Sequence, residues 1–158
     1  MDQSEVLRSV EGALSNGDAA GAHQAALEAV ARLFGASTAT LHRVDPDSRT
    51  LHLLASMGIP EKLLPITHQI PFGKGMAGLC ALRLEPVTVC NLQTDGSGAA
   101  RPGAKETGAA GAVVVPVLEP ASGRLVGTLG IGKPVEHTYT GQELEILSGC
   151  ARVISKSL

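Results

Sequence analysis

Arg124-Leu125-Val126-Gly127-Thr128-Leu129-Gly130-Ile131-Gly132 is the stretch that decides the architecture. Read with the two-residue period of a strand, it turns Leu125, Leu129 and Ile131 to one side and Thr128, Gly130 and Gly132 to the other. One side is bulky and the other nearly empty. The bulky side asks for a hydrophobic layer, whereas the empty side admits either a closely approaching helix or a small molecule. Just upstream, Gly111 to Val117 contains Ala112-Val113-Val114-Val115, apolar on both sides, which fits a central strand covered on each face. Glu119-Pro120-Ala121-Ser122-Gly123 turns one strand into the next.

Working outward, Ser37 to Val44 and Arg49 to Met57 are rich in Thr, Val and Leu and flank Asp45-Pro46-Asp47-Ser48, a turn of type I chemistry. They form a second hairpin. The sequence predicts one helical turn from Pro60 to Leu64, a short strand from His68 to Phe72, a helix from Gly75 to Leu84, and another short strand from Val87 to Asn91. Asn91 to Ala110 carries Gly96, Gly98, Pro102, Gly103 and Gly108, too irregular for a regular element and long for an idle loop.

Helices are predicted over Ser4 to Leu14 and Asp18 to Phe34, separated by Ser15-Asn16-Gly17-Asp18 and ended by Gly35. On the second, Ala26, Leu27, Val30, Leu33 and Phe34 share a face, and His23 lies one turn earlier on that side as a packed histidine. The last helix opens on Thr140-Gly141-Gln142-Glu143, a capping box. It carries two apolar seams: Leu144, Leu147, Ala151, Ile154 and Leu158, then Ile146, Cys150 and Val153 about 100° away. Covering a sheet takes one seam. The second calls for the N-terminal helix, another subunit or both, and we expect both, with a homodimer formed through the terminal helices.

The whole is a single α+β domain over residues 1–158: N-terminal helices in 1–34, a sheet with pocket and lid in 37–133, and a C-terminal helix in 140–158. The expected fold is a central antiparallel sheet with the terminal helices on one face and a lidded ligand pocket on the other.

Composition narrows the function. Of 158 residues, 44% are hydrophobic and 18% charged, a globular balance. Thirteen Lys and Arg against 15 Asp and Glu leave a net charge of −2, and one Tyr, two Phe and no Trp leave no stacking platform. No nucleic-acid partner is therefore expected. No apolar run reaches the ~18 residues of a membrane span and Met1-Asp2-Gln3-Ser4-Glu5 does not read as a secretory signal, so no membrane partner and a cytoplasmic location are expected. Cys80, Cys90 and Cys150 are odd in number, widely spaced and free of CxxC, which reads as three reduced thiols.

Gly73-Lys74-Gly75-Met76-Ala77-Gly78 satisfies GxGxxG, but its context fails the dinucleotide fingerprint. Ile70-Pro71-Phe72 is short and proline-broken, and Asp95 sits in a glycine-rich loop. His23, His42, His52, His68 and His137 show no metal spacing; His42 and His52 would face each other across the hairpin as an exposed or ligand-facing polar pair, and no metal site is expected. No GxSxG elbow or Cys–His signature is present, so no catalytic residue is assigned, and Cys80 is the one thiol worth testing. The loop from Asn91 to Ala110 brings Arg101 and Lys105, which would close over an anionic or polar ligand as a flexible cover. Thr40 and Thr128 point into the pocket from neighbouring strands, and Met76 stands at its entrance. The residues name no cofactor.

These segments resemble the GAF domain family of small-molecule sensor modules. The resemblance rests on Ile70 to Gly78, Glu85-Pro86-Val87-Thr88-Val89-Cys90-Asn91, Ala112 to Val117, Gly123 to Ile131 and Tyr139-Thr140-Gly141-Gln142-Glu143-Leu144, in the family's order. It implies an antiparallel sheet with the terminal helices on one face and a ligand pocket on the other, roofed by the segment before the central strand. It also implies binding of a small molecule and, in many members, dimerisation through the terminal helices. Asn91 stands where many members carry Asp. The Asn-Lys-Phe-Asp-Glu set of cyclic-nucleotide members is missing, and Cys80 is followed by Ala81 rather than the His common beside a bilin-attaching Cys. In the free methionine sulfoxide reductases the glycine motif holds a Cys where Ala77 stands, and the acids that hold the substrate amine correspond to Ala112, Gly130 and Gly132.

Three functions remain open from the sequence: a non-enzymatic sensory domain binding a small molecule and signalling through dimer-forming helices, a thiol-dependent reductase of the free methionine-R-sulfoxide type, and a dimerisation scaffold without a ligand.

Overall fold

The computed structural model describes residues 1–15 and 17–158. Asn16, part of the expected interhelical turn, lies outside the described residues. Among the described residues five helices and six strands follow one another: α1 (Gln3–Leu14), α2 (Ala19–Phe34), β1 (Thr38–Asp45), β2 (Thr50–Met57), α3 (Leu64–Thr67), β3 (Gln69–Pro71), α4 (Gly75–Arg83), β4 (Val87–Val89), β5 (Ala112–Leu118), β6 (Leu125–Gly132) and α5 (Gly141–Ser155). Short 3-10 turns occupy Glu61–Leu63 and Pro102–Thr107.

Local chemistry sets the helix ends. The Asp18 carboxylate accepts the Gly21 amide at 2.8 Å at the start of α2, and Gly35 ends it in the left-handed region at φ 65°. The expected capping box opens α5: the Thr140 hydroxyl accepts the Glu143 amide at 3.1 Å, and the Glu143 carboxylate accepts the Thr140 amide at 3.0 Å.

Every strand pair is antiparallel, and the order across the sheet is β3-β2-β1-β6-β5-β4. The fold class read from the sequence is thus the one observed. β1 and β6 lie side by side at the centre, with Thr40 opposite Gly130 and His42 opposite Thr128. Alternation then separates the faces: Leu41, Val113, Val115, Leu129 and Ile131 join Val10, Leu27, Val30, Phe34, Leu147 and Ile154 in one core beneath α1, α2 and α5. Removing each Leu- or Ile-sized side chain from water there contributes about 1.5–3 kcal/mol. His23, on α2, is packed as expected, its Nε2 3.1 Å from the Ser157 hydroxyl.

One expectation is met in part and another changes. Ile146, Cys150 and Val153, the second seam of α5, are buried within the one chain, because α1 lies along that helix. The helices approach closely enough that a Cβ at Gly149 would stand 3.1 Å from Leu7 Cδ2. Of the occupants expected for that seam, the N-terminal helix is the one found within the chain. His42 and His52 do not face each other. The β1–β2 register shifts between Leu41 and His42, so His42 opposes Leu53 and Arg43 opposes His52. That irregularity puts His52 outside, on the face opposite His42 and 3.7 Å from Asp45, while His42 is buried across from Thr128.

A roofed cavity on the sparse face of the sheet

Opposite the helices, the sheet presents Thr38, Thr40 and His42 from β1, Gly130 and Gly132 from β6, and Ala112 and Val114 from β5. Above this floor lies a cavity of about 180 Å³. The glycines do not vacate it alone. A Cβ at Gly130 would meet Thr40 Oγ1 at 3.1 Å and Val114 Cγ2 at 3.2 Å, and one at Gly132 would meet Ala109 Cβ at 2.9 Å and Thr38 Oγ1. The hollow survives because those neighbours are themselves short.

Three segments enclose the space. Ile59, Leu63, Ile66 and Thr67, around α3, make one wall, and Lys74 to Ala77, at the start of α4, make a second. The long loop after β4 supplies the roof through Leu92, Ala100, Arg101, Gly103, Ala104, Thr107 and Ala109. The expected flexible cover is in fact heavily tied: Leu92 N–H donates to Ala110 O at 2.8 Å, and Gln93 Nε2 donates to the carbonyls of Lys105 at 3.0 Å and Ala109 at 2.8 Å. Pro102–Thr107 is a 3-10 turn within it.

Of the five side chains singled out from the sequence, Arg101, Thr40 and Met76 are brought to the cavity wall. Lys105 is not; it is exposed on the outer side of the 3-10 turn. Thr128 lies on the right face of β6 but one rung beyond the cavity, buried opposite His42. The sequence reading missed the α3 wall, whose signal was the spacing of Ile59, Leu63 and Ile66, and it left His42 between exposed and ligand-facing.

Arg101 spans the mouth. Its Nη1 donates to Ile66 O at 3.4 Å, and its side chain crosses Gly75, where a Cβ would come within 3.2 Å of Arg101 Cγ. Gly75 also holds φ +63°, so glycine is needed there twice over. No side chain caps α4 at Lys74, and the amides of its first turn stand without acceptors beside the cavity.

His42 is 1% exposed and forms part of the wall. Burial pushes its pKa down to about 4, against the raising influence of its hydrogen bond to the Thr67 carbonyl. The neutral ring donates from Nε2 to Thr67 O at 2.8 Å, which makes Nδ1 an acceptor; neither Nδ1 nor the hydroxyl of Thr128 has a partner. The thiol worth testing, Cys80, is buried on the inner side of α4 against Val87 and Val114, behind the cavity wall and not part of it. Its pKa is raised to about 12, by burial first and by the nearby Glu85 charge second, which suppresses the nucleophilic thiolate. Among the described residues no group of three or more His, Cys, Asp or Glu could hold a metal ion. No helix among them is long and apolar enough to cross a membrane.

A strap, residues 133–140, runs from β6 to α5 and grips both ends of the roof. Ala110 N–H donates to Lys133 O at 2.8 Å, Gly111 N–H to Val135 O at 2.9 Å, and His137 N–H to Cys90 O at 2.9 Å. The Tyr139 hydroxyl donates to Gly111 O at 3.0 Å, and a Cβ on Gly111 would collide with His137. His137 Nε2 in turn lies 2.9 Å from Glu143, the capping-box residue of α5. Burial works against the Glu143 charge, but the Thr140 amide and His137 hold the carboxyl below its ordinary range.

An antiparallel sheet sealed by helices on one face and roofed over a small apolar cavity on the other defines an α+β domain of a recognisable kind. The chain belongs to the GAF domain family, whose model matches residues 18–158. Among solved structures it is similar to the GAF domain of a phosphoenolpyruvate-protein phosphotransferase from Coxiella burnetii, at 21% identity and TM-score 0.81 over 99% of this chain and 92% of that one. The corresponding Acinetobacter domain matches at 16% identity and TM-score 0.80, covering 99% and 94%. The free methionine-R-sulfoxide reductase from Neisseria meningitidis, solved in complex with its substrate, matches at 20% identity and TM-score 0.77, covering 98% and 87%. At these identities the likeness is one of fold. No curated protein sequence matches the chain.

Proposed function

We propose that this GAF domain is a non-enzymatic regulatory module that binds a small molecule in the roofed cavity and relays occupancy to its terminal helices. The carrying observation is the strap: the roof that a ligand would touch is hydrogen-bonded at Cys90, Ala110 and Gly111 to residues 133–140, and His137 and Glu143 connect that segment to the first turn of α5. A ligand that favours one setting of the roof shifts α5 by as much as its affinity differs between the two settings. Three free cysteines suit a reducing, cytoplasmic setting. The relay runs within one chain, through the strap to α5, and a homodimer through the terminal helices would receive it.

The reductase reading is the competitor, because the Neisseria neighbour is such an enzyme. Against it stand a cavity wall without a thiol among the described residues and a Cys80 whose thiol is held protonated. A metabolite-panel thermal shift followed by hydrogen exchange tests the proposal. A ligand at 100 times its Kd stabilises by about 2.7 kcal/mol and should slow exchange in the roof and in the first turn of α5 together. Silence across the panel, or methionine sulfoxide turnover abolished by Cys80→Ser, overturns it.

A further inference from the structure

The cavity is electrostatically lopsided. Its wall contains Lys74 and Arg101 and, among the described residues, no Asp or Glu. Among the described residues Arg101 has no carboxylate in ion-pairing range: the pairs present join Asp45, Glu106, Glu119 and Glu143 to other cations. Its one hydrogen bond, to the neutral Ile66 carbonyl, leaves most of the guanidinium fork unused. Beside it stands the uncapped N-terminus of α4, the positive end of that helix. The remaining wall is predominantly aliphatic and holds no Phe, Tyr or Trp.

From this we infer the class of ligand, resting on the reading of the cavity as a ligand site: a small aliphatic carboxylate without an ammonium group. The volume of about 180 Å³ suits a body somewhat larger than benzene, which fills an apolar cavity of roughly 150 Å³. A carboxylate matches the two-pronged guanidinium geometry and completes the charge at the mouth. An α-ammonium carried with it would meet two cations and no acid, and burying an unpaired charge is costly. Without Phe, Tyr or Trp among its described residues, the wall has no large ring face on which to stack a nucleobase.

Calorimetry at pH 7 with three matched probes tests the inference on the intact chain: 4-methylpentanoate, its uncharged amide, and leucine, which adds only the ammonium. The acid should bind about tenfold or more tighter than either relative. Arg101→Gln should remove about tenfold for the acid and leave the amide unchanged, while Arg124→Gln, on the distant hairpin, should change nothing. Equal binding of acid and amide, or tighter binding of leucine, overturns the ligand class while leaving the cavity a binding site. Failure of this acid and of straight-chain carboxylates of about four to eight carbons also overturns it. Only if the wider metabolite panel is silent as well does the underlying reading of the cavity fall. The wild-type comparison of the three probes stands whether or not the Arg101 variant folds.

Discussion

The two faces of this sheet are made by alternate residues of the same strands, yet they are built to different standards. Beneath the helices, Leu41, Leu129, Val113 and Val115 are fully buried in one continuous core. On the other side, Thr40, Gly130, Ala112 and Val114 face a hollow under a hydrogen-bonded roof, and the apolar residues there fall into two small clusters around Val89 and Cys80. Stability is concentrated on one face, and the unfilled volume on the other is room for chemistry that the strand pattern alone does not specify.

The largest expected effect tests that contrast directly. Leu129→Ala, on the packed face, should cost about 2–5 kcal/mol in urea denaturation, because a rigid core closes only partly over the void. Met76→Ala, at the cavity wall, should cost about 1 kcal/mol or less, since Met76 is only partly buried and borders existing space. Equal losses would mean that the two faces are equally packed.

The second effect belongs to His42, a large polar group buried on the sparse face. His42 has a pKa of about 4 when folded, against an ordinary value of 6.5. As pH falls from about 6.5 to about 4, the unfolded chain takes up a proton that the folded chain refuses, so stability drops as the pH is lowered across that window. The loss approaches about 3 kcal/mol by the lower end. His42→Gln should flatten this part of the stability-against-pH curve; an unchanged slope would show that other groups carry it.

The element order, the capping box and the sparse side of β6 were legible in the sequence because each is written in local spacing or in the two-residue period. What was not legible depends on long-range geometry. The register shift after Leu41 sets His52 opposite Arg43, on the other face of the sheet from His42, and no local signal announces a bulge of that kind. The reach of Arg101 to Ile66, 35 positions away, requires the roof and α3 to meet across the cavity mouth. Lys105 and Arg101 looked equivalent in the loop, but the 3-10 turn directs them differently. The second seam of α5 was visible, whereas its cover within the chain, α1, was decided only by packing.

The smallest effect separates two glycines that read alike in the strand. At Gly130, the nearest atoms to a new Cβ are the tips of the Thr40 and Val114 side chains, at 3.1 and 3.2 Å, which a small rotation can relieve. The lower backbone entropy of alanine in the unfolded chain offsets that cost, so Gly130→Ala should change stability by no more than about 0.5 kcal/mol. At Gly132 the obstacle includes Ala109 Cβ at 2.9 Å, an atom fixed directly to the backbone of the roof, which Ala110 N–H ties to Lys133 O. Gly132→Ala must therefore displace the roof and should cost about 1–2 kcal/mol, with faster hydrogen exchange around Ala109 and Ala110. Equal effects of the two substitutions would mean that the roof yields as easily as a side chain, and the hollow would then be held open by the floor alone.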